Sequence, residues 1–386
     1  MTSLFDIPLG WLQLKREKLR FAVALLGVSF AVVLILMQIG FREALFNSAV
    51  RFHDTLNADV VLIAHDQSNI VSPRSFSQRR LFQARGVPGV AAVTPVYIAI
   101  GNFENPVTHA ARGIFVLGID PSGEPLRLEE VNTRSDEIAH QDVALFDALS
   151  RPEFGPIPTL IAAGGPLSVD VNHREITLAG LFHFGTSFGI DGSLVTSETN
   201  FLRIFPNRER GLIELGIVRV EPGQDPLQVR DAIRTQVEKD VLVLTREEFR
   251  AKEIAYWDSA TPIGYVFSFG VIVGLVVGGI IVYQILFADV NDHLAEYATL
   301  KAMGYSNGFL AGVVIQQAVI LATLGFLPAI GISLVLYRIS GEATRLPLEM
   351  TKETALFVFG LTVLMCTLSA LMALRKVRSA DPAEIF

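Results

Sequence analysis

The chain has 386 residues, 51% of them hydrophobic and only 18% charged, with a formal net charge of −7. That balance, with no basic block anywhere in the sequence, gives no basis for nucleic-acid binding, which needs a cationic face to neutralise phosphates. The only cysteine, Cys366, excludes an internal disulfide, so any folded domain must hold itself together by core packing.

From the N-terminus, Leu4, Phe5, Ile7, Trp11, Leu12 and Leu14 precede Lys15, Arg16, Lys18 and Arg20, a pattern that suits a short helix in the lipid headgroup layer over residues 1–20. Phe21–Phe41 then contains no Asp, Glu, Lys or Arg, and it is long enough for the roughly 20 residues that cross a bilayer core. The run exceeds a usual signal-peptide core, no small-x-small cleavage site follows, and Arg42-Glu43-Ala44-Leu45-Phe46 continues a helix. An uncleaved first span over 21–41 is expected.

Residues 42–258 are polar and of mixed pattern. Phe41, Leu45, Ala49, Phe52 and Leu56 recur at helical spacing, so the first span should run on as an amphipathic stalk. Strands are expected at Ala58–Ala64, Val90–Ile100, Gly113–Ile119, Thr159–Ala163, Glu175–Phe184 and Ser193–Val195, and a helix at Ser75–Arg85. Ser122–Arg151 is acidic and weakly periodic, which reads as loops with a short helix. Leu212–Glu221, Pro226–Lys239 and Asp240–Leu244 form the clearest unit, strand-helix-strand, with Asp225-Pro226 as cap and proline start. Arg246–Asp258 reads as a second helical stalk.

Three further charge-free runs follow, Ser259–Ala288, Ala302–Tyr337 and Thr354–Leu374. They place spans at 259–288, 308–337 and 354–374, a loop at 289–307, a short loop at 338–353 and a tail at 375–386. The fold class is therefore an α-helical membrane protein with four spans, one then three, plus a large α+β domain on helical stalks. Arg375, Lys376 and Arg378 behind the last span match the basic residues before the first, which puts both termini in the cytoplasm and 42–258 outside it. Asp289, Asp292 and Glu296 in the 289–307 loop weaken that bias without reversing it.

Little catalytic chemistry is present. No lysine follows a glycine, so the sequence holds no P-loop, and none of the seven histidines is spaced from another as zinc ligands are. Gly185-Thr186-Ser187-Phe188-Gly189 matches the nucleophile-elbow pattern, yet a turn, Ile190-Asp191-Gly192, follows it instead of a helix. The only downstream histidine is His293, expected on the opposite side of the membrane, and the hydrolase reading is rejected. Gly270, Gly274 and Gly278 place small residues on one helix face, a packing or dimer surface within the membrane. Leu294, Tyr297, Leu300 and Met303 recur at helical spacing in Val290–Met303, with Gly304 as the stop: a short amphipathic helix suited to docking a soluble partner.

Glu296, Leu300, Lys301, Ala302, Met303 and Gly304 fit the E-x-x-x-L-(R/K)-A-(L/M)-G pattern, and the segment resembles the cytoplasmic segment of MacB/FtsX/LolC-type ABC permeases. The span layout and the ending Arg378 to Phe386, with Pro382-Ala383-Glu384, are similar to theirs. Trp11 to Lys18, Gly185-Thr186-Ser187 and Pro262-Ile263-Gly264 further resemble the DevC branch, permeases of the heterocyst glycolipid exporter type. The resemblance implies a homodimer in a bacterial, cyanobacterial-type inner membrane. It also implies two copies of a separate ABC ATPase holding the ATP and Mg, a periplasmic membrane-fusion adaptor, an outer-membrane TolC-like channel, and a lipid or glycolipid cargo. In such an exporter, ATPase motion would pass through the coupling helix and the stalks to the head, termed mechanotransmission, with no enzyme activity in this chain. A LolC/LolE-like lipoprotein-extracting permease and an FtsX-like relay to cell-wall hydrolases share the layout and stand as alternatives.

Overall fold

The computed structural model describes Trp11, Arg16 and residues 18–379, the last five as backbone. The headgroup-layer helix expected over Leu4 to Leu14, Trp11 apart, and the ending from Ala380 onward lie outside the described residues. The chain divides into two units: Leu45–Thr261 with Arg345–Pro347, here called the head, and the remainder, here called the bundle.

In the bundle, helices α1 (Lys18–Thr55), α9 (Pro262–Asp292), α11 (Asn307–Thr344) and α12 (Lys352–Ser379) are each long and apolar enough to cross a membrane. Helix α9 starts at Pro262, where the fixed φ of proline suits a first helical position. The expected start at Ser259 falls instead in the preceding turn. The interior of the bundle is apolar, with Val28, Ile35, Leu286, Val314, Leu321 and Cys366 all fully buried. Leu26, Phe30, Val266, Ile272, Leu334 and Leu356 point outward, as helices solvated by lipid require.

Two features bring the backbones close. Ser29 Oγ donates to Gly325 O at 2.8 Å, and Tyr337 Oη donates to Leu36 O, its ring lying against the bare Cα of Gly40. Small residues at such crossings replace hydrophobic drive with dispersion contact.

The head is built on a nine-stranded sheet. Its strands are β1 (Val60–Ala64), β3 (Val90–Glu104), β4 (Ala111–Ile119), β5 (Val143–Asp147), β6 (Leu167–Val171), β7 (Arg174–Phe182), β8 (Ser193–Ser197), β10 (Leu215–Val220) and β11 (Val241–Thr245). The order is β11-β1-β10-β3-β4-β8-β5-β7-β6, antiparallel except for β4–β8 and β5–β7. A separate pair, β2 (Phe76–Ser77) and β9 (Leu212–Ile213), flanks it.

Both faces of the sheet are covered, which explains the unbroken apolar run VVLIA in β1. Val60, Leu62 and Ala64 enter one core, with Leu81, Phe201, Val229 and Ile233 from the helices α2 (Arg79–Arg85), α6 (Glu198–Ile204) and α7 (Pro226–Gln236). Val61 and Ile63 enter the other, with Phe52 and Leu56 from the end of α1 and Phe249 from α8 (Arg246–Ala255). A period of two sorts the side chains between the two cores.

Helix α7 starts as expected, Asp225 Oδ1 accepting from Leu227 N at 3.0 Å. Helix α8 has a capping box: Thr245 Oγ1 accepts from Glu248 N at 3.2 Å, while Glu248 Oε2 accepts from Thr245 N at 2.9 Å.

Several elements differ from expectation. Thr159–Ala163 lies in a helix, α5 (Ile157–Gly164), because Ile157, Leu160 and Ile161 stand at i, i+3 and i+4; over so few residues that spacing is hard to tell from a strand. Ser75–Arg85 splits into β2 and α2. Ser122–Arg151, expected as loops with a short helix, holds two short helices, α3 (Glu129–Asn132) and α4 (Ser135–Ala139), and also the interior strand β5. The second stalk stops at Ala255 and continues as a π-type turn, Tyr256–Ala260.

Candidate functional site

The expected docking helix Val290–Met303 is shorter in the structure. Val290–Asp292 complete α9, a turn at His293 follows, and α10 runs Leu294–Ala302. Met303 caps it and Gly304, at φ +95°, turns the chain as only glycine does readily.

Most of the apolar face of α10 points into the bundle. Tyr297 is buried with Leu286, Val290, Leu310 and Val314, and Leu300 packs against the same core. Leu294 and Lys301 are half-buried. What faces outward is Ala295, Glu296, Thr299, Met303 and Gly304, followed by an exposed turn through Gly308. Tyr297 and Leu300 of the stripe hold the helix to its own bundle, whereas Met303 is exposed beside Glu296 and Thr299 on the face a partner would meet.

Beneath that helix lies a buried polar knot which sequence reading treated as loop charge. Asp289, in the last turn of α9, accepts from Gln317 Nε2 of α11 at 2.8 Å, and both side chains are buried. Residue 293 folds back on the same residue: His293 Nδ1 lies 2.9 Å from Asp289 O, and Tyr297 N donates to His293 O at 3.1 Å. The signal was present, since an acid within one turn of a span, with a histidine four residues on, is costly unless paired. Arg20 pairs with Asp292 nearby on the surface of the same unit.

The glycine stripe packs within the chain. A side chain at Gly274 would meet Ile35 Cγ1 at 2.9 Å, one at Gly278 would meet Ala31 Cβ at 2.6 Å, and Gly270 sits against Gln38. Ile35, Ala31 and Gln38 are all on α1, and Met365 of α12 also lies against Gly278, so the stripe packs against helices of the same chain, as a packing face requires.

In the head, the pseudo-elbow is a structural turn between β7 and β8. Ser187 N donates to Ile190 O at 2.8 Å, and the chain continues into β8, so no helix aims this hydroxyl. Asp147, at the end of β5, accepts from Leu149 N, Phe184 N and Gly185 N at 3.0, 3.0 and 2.9 Å. Burial pushes its carboxyl above the usual range, and those donors together with Arg51 hold back part of the rise. Arg51, from the last turns of α1, donates to Phe184 O and Thr186 O at 3.3 Å, and Thr186 Oγ1 donates to Arg345 O at 3.2 Å. Gly185 sits at φ +92°, a left-handed conformation that favours glycine, and the Arg51 guanidinium lies close against its Cα. Phe182 and Phe184 belong to the core, whereas Phe188 is half-exposed with its ring edge-on to Trp257 at 5.2 Å.

Among the described residues, no group of three or more His, Cys, Asp or Glu is placed to hold a metal ion.

Two protein families match the chain. The MacB-like periplasmic core domain covers residues 21–236, and the FtsX-like permease C-terminal domain covers residues 268–382. No curated protein matches. Among solved structures, the extracellular domain of the noncanonic ABC-type transporter YknZ from Gram-positive bacteria is 14% identical with a TM-score of 0.36, covering 48% of this chain and 99% of that one. The periplasmic region of MacB from Actinobacillus actinomycetemcomitans is 13% identical at 0.35, covering 51% and 92%. A domain of a putative permease protein from Porphyromonas gingivalis is 15% identical at 0.33, covering 50% and 89%. These structural likenesses are too distant to add to the assignment. The family matches are enough for it: the first spans more than half of the chain, and this multi-pass membrane protein belongs to the MacB/FtsX-like family of ABC transporter permeases.

Proposed function

We propose that the chain is the permease subunit of an ATP-driven exporter, in which a separate ATPase pushes on α10 and the motion passes along α1 into the head. The observation that supports this most is the build of α10. Its apolar face is held to the bundle, Glu296 faces out, and Asp289 and Gln317 pin its root. A helix fixed on one side and polar on the other moves its bundle when pushed. Helix α1 is continuous from Lys18 to Thr55, with Arg51 and Phe52 seated in the head.

In this reading two permeases pair and each meets one ATPase, which holds ATP and Mg. Both termini are cytoplasmic, and the head stands on the other side of an inner membrane of the cyanobacterial type. The DevC-like residues favour a glycolipid or similar amphiphile as cargo, passed to a periplasmic adaptor and a TolC-like outer-membrane channel.

Expression with its genomic neighbours, purification in detergent and mass spectrometry of what remains bound test this directly. An ATPase with a membrane-fusion adaptor is the expected result. An ATPase alone, or with a cell-wall hydrolase, would replace export by lipoprotein extraction or by a signal relay. Reversing both charges, Glu296→Lys with Lys301→Glu, should lower permease-stimulated ATP hydrolysis about tenfold, roughly the worth of one or two interfacial ion pairs. Unchanged stimulation would remove α10 from the docking surface.

A further inference from the structure

The last turn of α1 and the last turn of α8 meet inside the head through two ionisable side chains. His53 Nε2 lies 3.6 Å from Glu253 Oε2, and the two side chains are 0% and 2% exposed. Among the described residues neither ring nitrogen of His53 has a hydrogen-bond partner. The imidazole is packed on Phe249 of α8 at 4.2 Å between ring centroids, with Phe52 beside it.

Glu253 is better supplied. Its Oε2 accepts from Ile70 N at 3.1 Å, and its Oε1 accepts from Trp257 Nε1 at 2.8 Å. Other charges around the pair are already committed. Arg250 of α8 pairs with Asp54 of α1 at 3.2 Å, and Lys252 Nζ donates to Gln67 O and Ser68 O at 2.6 and 3.2 Å. Asp66 and Arg74, on the loop that carries Ile70, are exposed and pair with each other, and Asp258 is exposed in the π-type turn.

We propose that His53 and Glu253 form a proton-sensitive joint between the helix that enters the head and the helix that leaves it. A protonated Glu253 is neutral, can donate its O–H to the unpartnered His53 Nε2, and suits a dry contact sealed by Phe52 and Phe249. A deprotonated Glu253 is a buried anion with two N–H donors, and it draws in water by loosening the contact between the helices. Burial sets both groups near that choice, raising Glu253 to about 7 and lowering His53 to about 3, so His53 stays neutral while Glu253 titrates. The joint would let the pH around the head set how firmly the two helices are coupled. It does not depend on the identity of the cargo or the partners.

The chain carries its own reporter. Trp11 and Trp257 are the only tryptophans, and the indole N–H of Trp257 is bonded to Glu253 itself. In full-length Trp11→Phe protein in nanodiscs, Trp257 emission should titrate as a single proton with a midpoint of about 7. Acrylamide quenching should rise at least about twofold on the alkaline side as the contact opens. Glu253→Gln, which keeps size and hydrogen bonding, should abolish both changes. A flat emission curve between about pH 5.5 and 8.5 would overturn the proposal without any variant at position 253. The same titration in Glu253→Gln, or an emission change without a change in quenching, would overturn it too.

Discussion

Each unit buries a carboxylate beside a histidine, and the two pairs are built differently. In the bundle, Asp289 and His293 are four residues apart, and the tie between helices comes from the neutral amide of Gln317. In the head, His53 and Glu253 come from distant parts of the chain and face each other directly, and among the described residues no third side chain satisfies the imidazole. The first arrangement has one good solution and behaves as a pin. The second has two, one for each protonation state of Glu253, and behaves as a joint. Burying the same two residue types therefore gives rigidity or responsiveness according to how their remaining hydrogen-bond capacity is met.

The largest effect should come from removing the pin. Asp289→Leu removes the charged acceptor of the buried Gln317 Nε2 bond, and a hydrogen bond to a charged group contributes up to about 3 kcal/mol. It also frees the root of α10. Thermal unfolding of the full chain in nanodiscs should show a clear fall in Tm, and stimulation of ATP hydrolysis should drop more than about tenfold in proportion to that loss of fixation. An unchanged Tm would mean that the Asp289–Gln317 bond does not pin the bundle.

The joint should reveal itself in the sign of a pH dependence. Glu253 is raised from 4.5 to about 7, so the stability of its neutral form is fully present below 4.5 and lost as pH rises through about 7. His53 is lowered from 6.5 to about 3, so its contribution is fully present above 6.5 and lost as pH falls through about 3. Between 4.5 and 6.5 the two slopes oppose, and the contribution of the pair should be nearly flat. Glu253→Gln removes one slope, and over those two pH units its stability should rise by about 3 kcal/mol relative to the parent chain. Denaturant unfolding followed through Trp257 measures the difference, and parallel curves would contradict the pair.

Much of this was legible in the sequence, for a physical reason that also marks the limit. Periodicity and hydropathy report how one segment meets its surroundings, so the four apolar helices, the start of β3 at Val90, the end of β4 at Ile119 and the cap at Asp225 could be read locally. They do not say which neighbour a face meets. The spacing of Leu294, Tyr297 and Leu300 gives a helix but not that Tyr297 packs into the bundle, and Gly270, Gly274 and Gly278 give a packing face but not that α1 is what meets it. Strand β5 was missed because burial on both faces erases its alternation. His53 did carry a signal: Ala49, Phe52, His53 and Leu56 share one helical face, which places a histidine on the buried stripe. Its partner lay beyond local pattern.

The glycine stripe tests the packing side of the same contrast at smaller cost. Gly274→Leu forces a side chain to within 2.9 Å of Ile35 Cγ1, and overpacking of this kind costs about 2 kcal/mol. Gly331→Leu, at a helical position with nothing within 4 Å, is the control and should be neutral. Equal Tm values for the two variants in nanodiscs would mean that α1 and α9 do not pack through this stripe.

The smallest expected effect separates stability from switching. Thr245 caps α8, the helix that presents Glu253, and both bonds of its capping box are present. Thr245→Ala strands one helix N–H and should cost about 1 kcal/mol, with Thr245→Ser recovering most of it. The hydroxyl is two turns from Glu253 and bonds to Glu248 N, so the midpoint of the Trp257 titration should stay where it is. A midpoint that moves with the cap would show that the position of α8 as a whole, and not the His53–Glu253 contact, sets the proton affinity, which would make the joint a property of the helix end instead of the pair.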